Sequence, residues 1–344
     1  MDQSFTERDQ KFVRGSEGRM KALLTVACPS ILLLAERHVG NNLFLTPAIH
    51  LLKRICPALT LDIVVTSQRG AGVFENNPDI RTVHTVCCRM QLRRLVKTYS
   101  AVISFKRDGA TRKWLRGMQI PSWIIDTGRP DLHRADEALE FMRDLLDCEI
   151  AEEDRRYVLC PQPRNAARIA MLLQNVRPEK RLIGFHLGNR RTSIHGWKFW
   201  WRGRERDARL WPPENYIALG RLMSRFDPTL TIVLTGSRNE RFLGRRFVRE
   251  VPNAINLMGD TSLLDLAALM PRLHTFVTQD TGALHIACSS NVPLVGLFGL
   301  TNPVLTGPYP LRPWHTIIKK EKTTDISPDE VAAAVLNTMR KSAP

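Results

Sequence analysis

Asp280, Thr281, Gly282 and His285 lie together just after a β-branched apolar run, Thr275–Thr278. They bring a charged acceptor, a hydroxyl, a position without a side chain and a titratable donor to one strand-to-helix turn. Such a turn aims helical N–H groups at an anion, and phosphate is the commonest anion held that way. Gly282 lets a ligand approach the backbone, and Thr281 is expected to cap the helix that follows. A second apolar run, Pro293–Phe298, is closed by Gly299, then Thr301-Asn302-Pro303 and Gly307-Pro308. Asp-Thr-Gly alone is a weak signal. Asp-Thr-Gly-x-x-His, a strand, Phe-Gly-x-Thr-x-Pro and Gly-Pro in series are far more specific.

The elements that must position these residues are legible as alternating periods. In the first half, strands are expected at Ile31–Ala35 and Leu61–Thr66, with short apolar runs at Val83–Cys87, Ala101–Phe105 and Trp123–Ile125. Helical patterns cover Leu43–Ile55 and Ala135–Cys148. Cys160-Pro-Gln-Pro163 interrupts the pattern, and a helix is expected near Ala166–Gln174. The alternation restarts with strands at Leu182–His186, Thr231–Thr235, Ile255–Leu257 and Thr275–Thr278, between helices at Pro213–Arg225, Glu240–Glu250 and Ser262–Met270. Ser327-Pro-Asp-Glu330 opens a last helix with a capping box and proline at its first position. Strands alternating with helices imply parallel sheets covered on both faces, so the fold class is α/β with two doubly wound domains. The expected boundaries are a polar tail over 1–20, domains over 21–165 and 166–326, and a C-terminal helix over 327–344.

Composition narrows the function classes. The chain has 344 residues, 43% hydrophobic and 24% charged, enough apolar material for two cores. Its net charge of +16 points to an anionic partner: phosphorylated substrates, a membrane surface or nucleic acid. With no zinc-finger spacing and no aromatic RNA-binding motif, nucleic acid ranks last. The seven cysteines contain no Cys-x-x-Cys, which favours a reducing compartment without a disulfide frame or zinc site. Met20–Ala35 has a signal-like core, but Cys28-Pro29-Ser30 breaks it, and a buried first strand is the preferred reading. No apolar run reaches the ~18 residues needed to span a bilayer.

The segment from Gln279 to Pro308 resembles the donor-binding motif of glycosyltransferase family 9, the lipopolysaccharide heptosyltransferases, and the resemblance extends over roughly 31 to 320. It implies the GT-B architecture, two Rossmann-like domains facing across a cleft, an acceptor domain first and a nucleotide-sugar domain second. It also implies an inverting, metal-independent transfer of heptose from ADP-heptose to the lipopolysaccharide inner core. No cofactor is implied beyond the nucleotide-sugar donor. The partners would be that donor, an anionic lipopolysaccharide core or lipid A acceptor and a membrane surface. The location would be cytoplasmic, peripheral on the inner membrane.

Site residues follow from the same resemblance. Gly188 belongs to the turn that opens the second domain. Gly236 would line the nucleotide, Glu240 would hold ribose hydroxyls, and Leu257 and Met258 would flank the adenine. Glu240 could instead favour a helix dipole, and Met258 could be a core residue. Thr281, Gly282 and His285 would share the diphosphate, while Asp280 would bind sugar hydroxyls and stabilise positive charge at the anomeric carbon. Arg209, before Trp211-Pro212, stands where the family has a lysine and would neutralise the leaving diphosphate with a planar fork.

The first loop, Glu36–Leu43, departs from the family pattern. Gly40 is followed by Asn41 where the family has its aspartate base, although Leu43 to Lys53 matches well. A neutral amide cannot accept the proton. Asn41 could orient the acceptor while His38 or Asp108 acts as base, or the protein could be slow, inactive or carry a substituted residue there. Glu36 reads as a strand-end surface charge. Arg190–Trp211 is also distinctive: Arg190, Arg191, Lys198 and Arg202 are interleaved with Trp197, Trp200 and Trp201. That mixture suits an acceptor or membrane surface, or else an ordered loop that packs its own aromatics. The rival functions are transfer of another nucleotide sugar on the same fold and non-catalytic binding of a sugar nucleotide or lipopolysaccharide.

Overall fold

The computed structural model describes residues 29–86, 88–126, 128–177, 179–198 and 209–341. The polar tail over 1–20 therefore lies outside the described residues. The chain divides after Cys160 into two compact units.

The first unit holds five strands: β1 (Ser30–Leu34), β2 (Thr60–Val65), β3 (Thr82–Thr85), β4 (Ala101–Ser104) and β5 (Ser122–Ile124). They pair in parallel in the order β3-β2-β1-β4-β5. Ile31, Leu32 and Leu33 are fully buried, as expected of a central strand packed on both faces. The chain moves outward from β1 to β2 and β3, then returns to β4 on the other side of β1. Strand order thus reverses between β1 and β4. In sheets of this kind ligands bind at the carboxyl ends of the strands where the order reverses.

The expected helix over Leu43–Ile55 is instead two helices, Val39–Leu43 and Thr46–Ile55. Pro47 lies in the first turn of the second, where its missing N–H is harmless. A polar cluster closes the sheet edge. Asp62, almost fully buried in β2, accepts from Arg81 at 2.6 and 3.0 Å and from the Tyr99 hydroxyl at 2.6 Å. That acceptor contact and burial push the Tyr99 phenol up.

The second unit holds six strands: β6 (Arg181–His186), β7 (Leu230–Thr235), β8 (Ile255–Asn256), β9 (Thr275–Gln279), β10 (Leu294–Phe298) and β11 (His315–Lys319). All neighbours are parallel, in the order β11-β10-β9-β6-β7-β8. Here the order reverses between β6 and β9. Phe185, Phe247, Tyr216 and Trp211 are buried together, and the Phe185 and Phe247 rings meet edge to face at 6.1 Å. The last helix, Pro328–Lys341, contributes Val331 and Val335 to this core and is part of the second unit. The Ser327 hydroxyl accepts the Glu330 N–H at 3.2 Å, the expected cap.

Candidate functional site

The turn Asp280-Thr281-Gly282 follows β9, and Gly188 follows β6, so both lie at the reversal point of the second sheet. Gly236 follows β7, the next strand over. The sheet topology thus gathers three turns that are far apart in sequence to one edge.

Asp280 is half-buried, and its Oδ2 accepts from the Thr306 hydroxyl at 3.1 Å. Burial raises its carboxyl above the ordinary aspartate value, opposed by hydrogen bonds from Thr301 and Thr306 and by the charge of Arg209. The expected cap at Thr281 does not form: its side chain accepts no N–H from the Gly282–Cys288 helix. Its hydroxyl instead pairs with the Thr278 hydroxyl at 3.3 Å. The cause is local, since a hydroxyl on β9 lies within reach of the cap position. Gly282 is half-exposed, and His285 is buried one turn further along the helix.

Arg209 is exposed, and a buried tie two residues later holds its segment. The Trp211 backbone N–H donates to Gln279 Oε1 at 2.7 Å, and the indole Nε1–H donates to the Ile326 carbonyl at 2.8 Å. Trp211 also packs edge to face on Tyr216, with ring centroids 4.5 Å apart, and the Tyr216 hydroxyl donates to the His186 carbonyl at 2.9 Å. Gln279, at the end of β9, therefore fixes the approach of the arginine to Asp280. Gln279 is not singled out by the sequence. Its one signal was an amide closing an otherwise apolar strand immediately before the Asp-Thr-Gly turn.

Glu240 is 2% exposed and both oxygens are engaged. Oε1 accepts from the Thr192 hydroxyl at 2.6 Å and Oε2 from the Ser237 N–H at 2.7 Å. A Cβ at Gly188 would lie 2.0 Å from Glu240 Oε1, so glycine there is what admits the carboxylate. A Cβ at Gly236 would meet Met258 Cε at 3.1 Å and Glu240 Oε2 at 3.2 Å. Leu257 and Met258 are buried. The Met258 carbonyl accepts from Arg241 Nε at 2.8 Å, and the following Gly259 takes φ +79°, a conformation that favours glycine. His186 is a packing residue: its ring meets the Thr235 hydroxyl at 3.0 Å and burial lowers its pKa.

Asn189 caps the short helix Arg190–His195 by accepting the Arg191 and Thr192 N–H groups at 2.9 and 3.1 Å. Asn239 Nδ2 donates to the Ser193 carbonyl at 2.7 Å and the Ser193 and Ser237 hydroxyls pair at 3.0 Å, which moors the helix to the turn after β7. Its outer side exposes Arg190, Arg191, Ile194, Trp197 and Lys198. Trp200, Trp201 and Arg202 lie outside the described residues.

In the first unit, Asn41 is exposed on the short helix Val39–Leu43, and His38 is exposed at the position just before it. Asp108 is a helix cap: its Oδ1 accepts the Thr111 N–H at 2.7 Å and its Oδ2 the Thr111 hydroxyl at 2.8 Å, and those bonds hold its pKa low. Among the described residues, no group of three or more His, Cys, Asp and Glu is arranged to hold a metal, and no helix is long and apolar enough to cross a membrane.

Residues 200–331, which carry the Arg209, Gly236, Glu240 and Asp280 turns, match the profile of glycosyltransferase family 9 (heptosyltransferase). Lipooligosaccharide heptosyltransferase 2 of Haemophilus influenzae is 30% identical over 106 residues, covering 29% of this chain and 30% of that protein. The matched stretch thus spans under a third of the curated relative. Similarity of fold extends much further. A family 9 glycosyltransferase from Veillonella parvula superposes with a TM-score of 0.76 at 18% identity, covering 91% of this chain and 98% of that one. The Escherichia coli ADP-heptose lipopolysaccharide heptosyltransferase II gives 0.71 at 18% identity, covering 91% and 99%. The two parallel-sheet units are therefore those of the family 9 GT-B fold.

Proposed function

We propose that the protein is an inverting glycosyltransferase that moves a heptose from ADP-heptose to the lipopolysaccharide inner core. The observation that carries this reading is the Asp280-Thr281-Gly282 turn at the reversal point of the second sheet, with Arg209 led towards it by the Gln279–Trp211 tie. Gly282 leaves backbone open for a phosphate, and the arginine supplies the positive charge a leaving diphosphate needs. Asp280, its oxygens already oriented by threonine hydroxyls, is suited to sugar hydroxyls and to positive charge developing at the anomeric carbon. The ADP-heptose heptosyltransferase that shares the fold supports the choice of donor.

Glu240 enters this reading in a modified form. With both oxygens engaged inside the protein, it shapes the turn at Gly236 and Gly188 and can offer a ribose only its remaining lone pairs. The exposed Arg190, Arg191, Trp197 and Lys198 suit an anionic acceptor at a membrane surface, which would place the protein peripherally on the cytoplasmic face of the inner membrane.

The test is transfer from ADP-heptose to heptose-free core lipopolysaccharide, run beside ADP-glucose and UDP-sugars, with ADP binding measured by calorimetry. Product formed only from ADP-heptose supports the reading. Transfer from another nucleotide sugar would move the assignment to that donor. ADP binding without transfer from any donor would leave a binding protein.

A further inference from the structure

The two faces of the first sheet carry their charges differently. Helices Arg89–Val96 and Gly109–Arg116 cover one face together. Leu95 and Val96 of the first and Trp114 and Leu115 of the second pack in one cluster with Leu32 and Val102 of the strands. That shared packing turns their outward sides to solvent as a pair. Arg89, Arg93, Arg94 and Lys97 are exposed along the first helix and at its close, and Lys113 and Arg116 on the second. Between Ile80 and Ile125 the chain holds a single acidic residue, Asp108. Both its oxygens are bound by Thr111, so it is held at the start of the second helix and away from the arginines of the first. None of the exposed cations of this face has an ion-pair partner among the described residues.

The opposite face is balanced. Thr46–Ile55 joins β1 to β2, a step across the sheet in the direction opposed to β3–β4, and a right-handed connection therefore lies on the other side. Arg134–Leu146 packs beside it. There the cations are matched: Arg129 Nη1 meets Glu140 at 2.7 Å, Arg143 Nη2 meets Asp144 at 2.7 Å, and Arg155 pairs with Asp136.

We propose that the outward side of Arg89–Val96 and Gly109–Arg116 is a docking surface for an anionic phospholipid bilayer. Unmatched cations gathered on one face of the fold attract a layer of phosphate headgroups, and each contributes while it lies within a Debye length of that layer. Long arginine and lysine stems keep the charge at the phosphates while lying over the helix. Met90 is 62% exposed among the arginines of the first helix and gives the face an apolar side chain to place beneath the headgroups. Nucleic acid fits less well. The aromatics of this face, Tyr99 and Trp114, pack inward on the core and do not stand out to stack on bases. The choice of a bilayer also rests on the transferase reading above, in which the acceptor is lipopolysaccharide. This surface belongs to the first unit and is separate from Arg190, Arg191 and Trp197 in the second.

The test is co-sedimentation of the full-length protein with vesicles of phosphatidylcholine alone and of phosphatidylcholine mixed with phosphatidylglycerol. No sugar nucleotide is present, so the outcome does not depend on heptose transfer. Wild type is expected to bind the mixed vesicles only, and less tightly as salt rises. Arg93→Gln/Arg94→Gln/Lys97→Gln is expected to lower the partition coefficient by ~10²-fold, and Lys113→Gln/Arg116→Gln by roughly 30-fold, each with an unchanged melting temperature. Arg129→Gln/Arg143→Gln removes cations from the balanced face and is expected to change binding by less than about twofold. Equal losses in all three variants overturn the assignment, because total charge and not this face then governs binding. Wild type that ignores the mixed vesicles overturns it too, as does binding that survives both helix variants or is lost only in Arg190→Gln/Arg191→Gln. Tighter binding to a single-stranded oligonucleotide than to the mixed vesicles, abolished by the same helix variants, assigns the face to nucleic acid and overturns the lipid partner. Vesicle binding as expected, in a protein that transfers no sugar, counts against the transferase reading alone.

Discussion

The two sheets reverse their strand order in the same way but furnish the reversal point differently. Between β6 and β9 stand glycine turns, an exposed arginine and a carboxylate held by threonine hydroxyls. Between β1 and β4 stands a half-buried glutamate facing a lysine and an ion-paired arginine. Glycine has two uses here: some positions are open, and others, Gly70 and Gly188 alike, make room for a neighbouring side chain. Gly282 leaves backbone open to a ligand, whereas the space beside Gly70 is filled by the side chain of Asn42. One edge therefore leaves backbone open beside an exposed arginine, as the proposed phosphate site requires, and the other holds a titratable group beside cationic neighbours. A shared topology supplies two positions, and side-chain chemistry decides which part of a reaction each can serve.

That contrast can be broken from either side. The largest effect is expected at Asp280. Asp280→Ala should lower kcat for heptose transfer by about 10²–10³-fold, measured at saturating donor, without lowering the melting temperature. Its pH dependence carries a sign. The folded-state pKa of Asp280 is raised, so its contribution to stability is greatest below the unfolded aspartate value and is lost as pH rises through the folded value. At neutral pH the ionised group is a cost, and Asp280→Asn is expected to raise the melting temperature there while leaving it little changed in acid.

Arg209→Ala should weaken ADP binding by about 10–100-fold, the scale of a lost charge-assisted hydrogen bond, with Arg209→Lys much milder. Unchanged calorimetric affinity in Arg209→Ala would remove the arginine from the diphosphate. Gly188→Ala tests the architecture rather than the ligand. The new methyl group collides with the Glu240 carboxylate, so unfolding in urea should show a loss of about 1–3 kcal/mol. The smallest effect is expected at Asn41. In an otherwise wild-type chain, Asn41→Asp should leave transfer close to its starting rate, the outcome expected where a group other than residue 41 takes the proton. A large gain would mean that the first sheet lacks a working base.

Much of this arrangement was legible in the sequence because it is written in local periods. The β1, β2, β6, β7, β9 and β10 runs are mostly apolar, with β2, β7 and β9 also rich in β-branched residues, and each forms a strand close to its expected place. β11 was not anticipated, since His315-Thr-Ile-Ile-Lys319 is a half-polar edge strand without the continuous apolar signal of its neighbours. The helix Arg190–His195 was hidden in what reads as a basic loop, because its stability comes from the Asn189 cap and the mooring to Ser237 and Asn239. Asp280 could be picked out from turn chemistry, and Gly236 from the family resemblance. Gln279 could not, because its partner Trp211 is 68 residues away in the chain. Glu36 read as a surface charge for a similar reason: sequence locates the end of β1 but not the strand beside it, and only β4 pairing brings Lys106, Arg107 and Asp108 within its field.

The Trp211 tie has an optical consequence. Its indole is fully buried, fixed at Nε1 by the Ile326 carbonyl, and its own backbone N–H is held by the strand that ends at the Asp280 turn. Indole emission shifts with the polarity and rigidity of its surroundings, and Arg209 is only two residues away along the chain. A ligand that draws Arg209 inward would pull on that same amide, so the chain carries a built-in fluorophore for occupancy of the proposed anion site. The emission difference between wild type and Trp211→Phe isolates that signal from the other tryptophans and is a label-free test of the proposed binding of ADP.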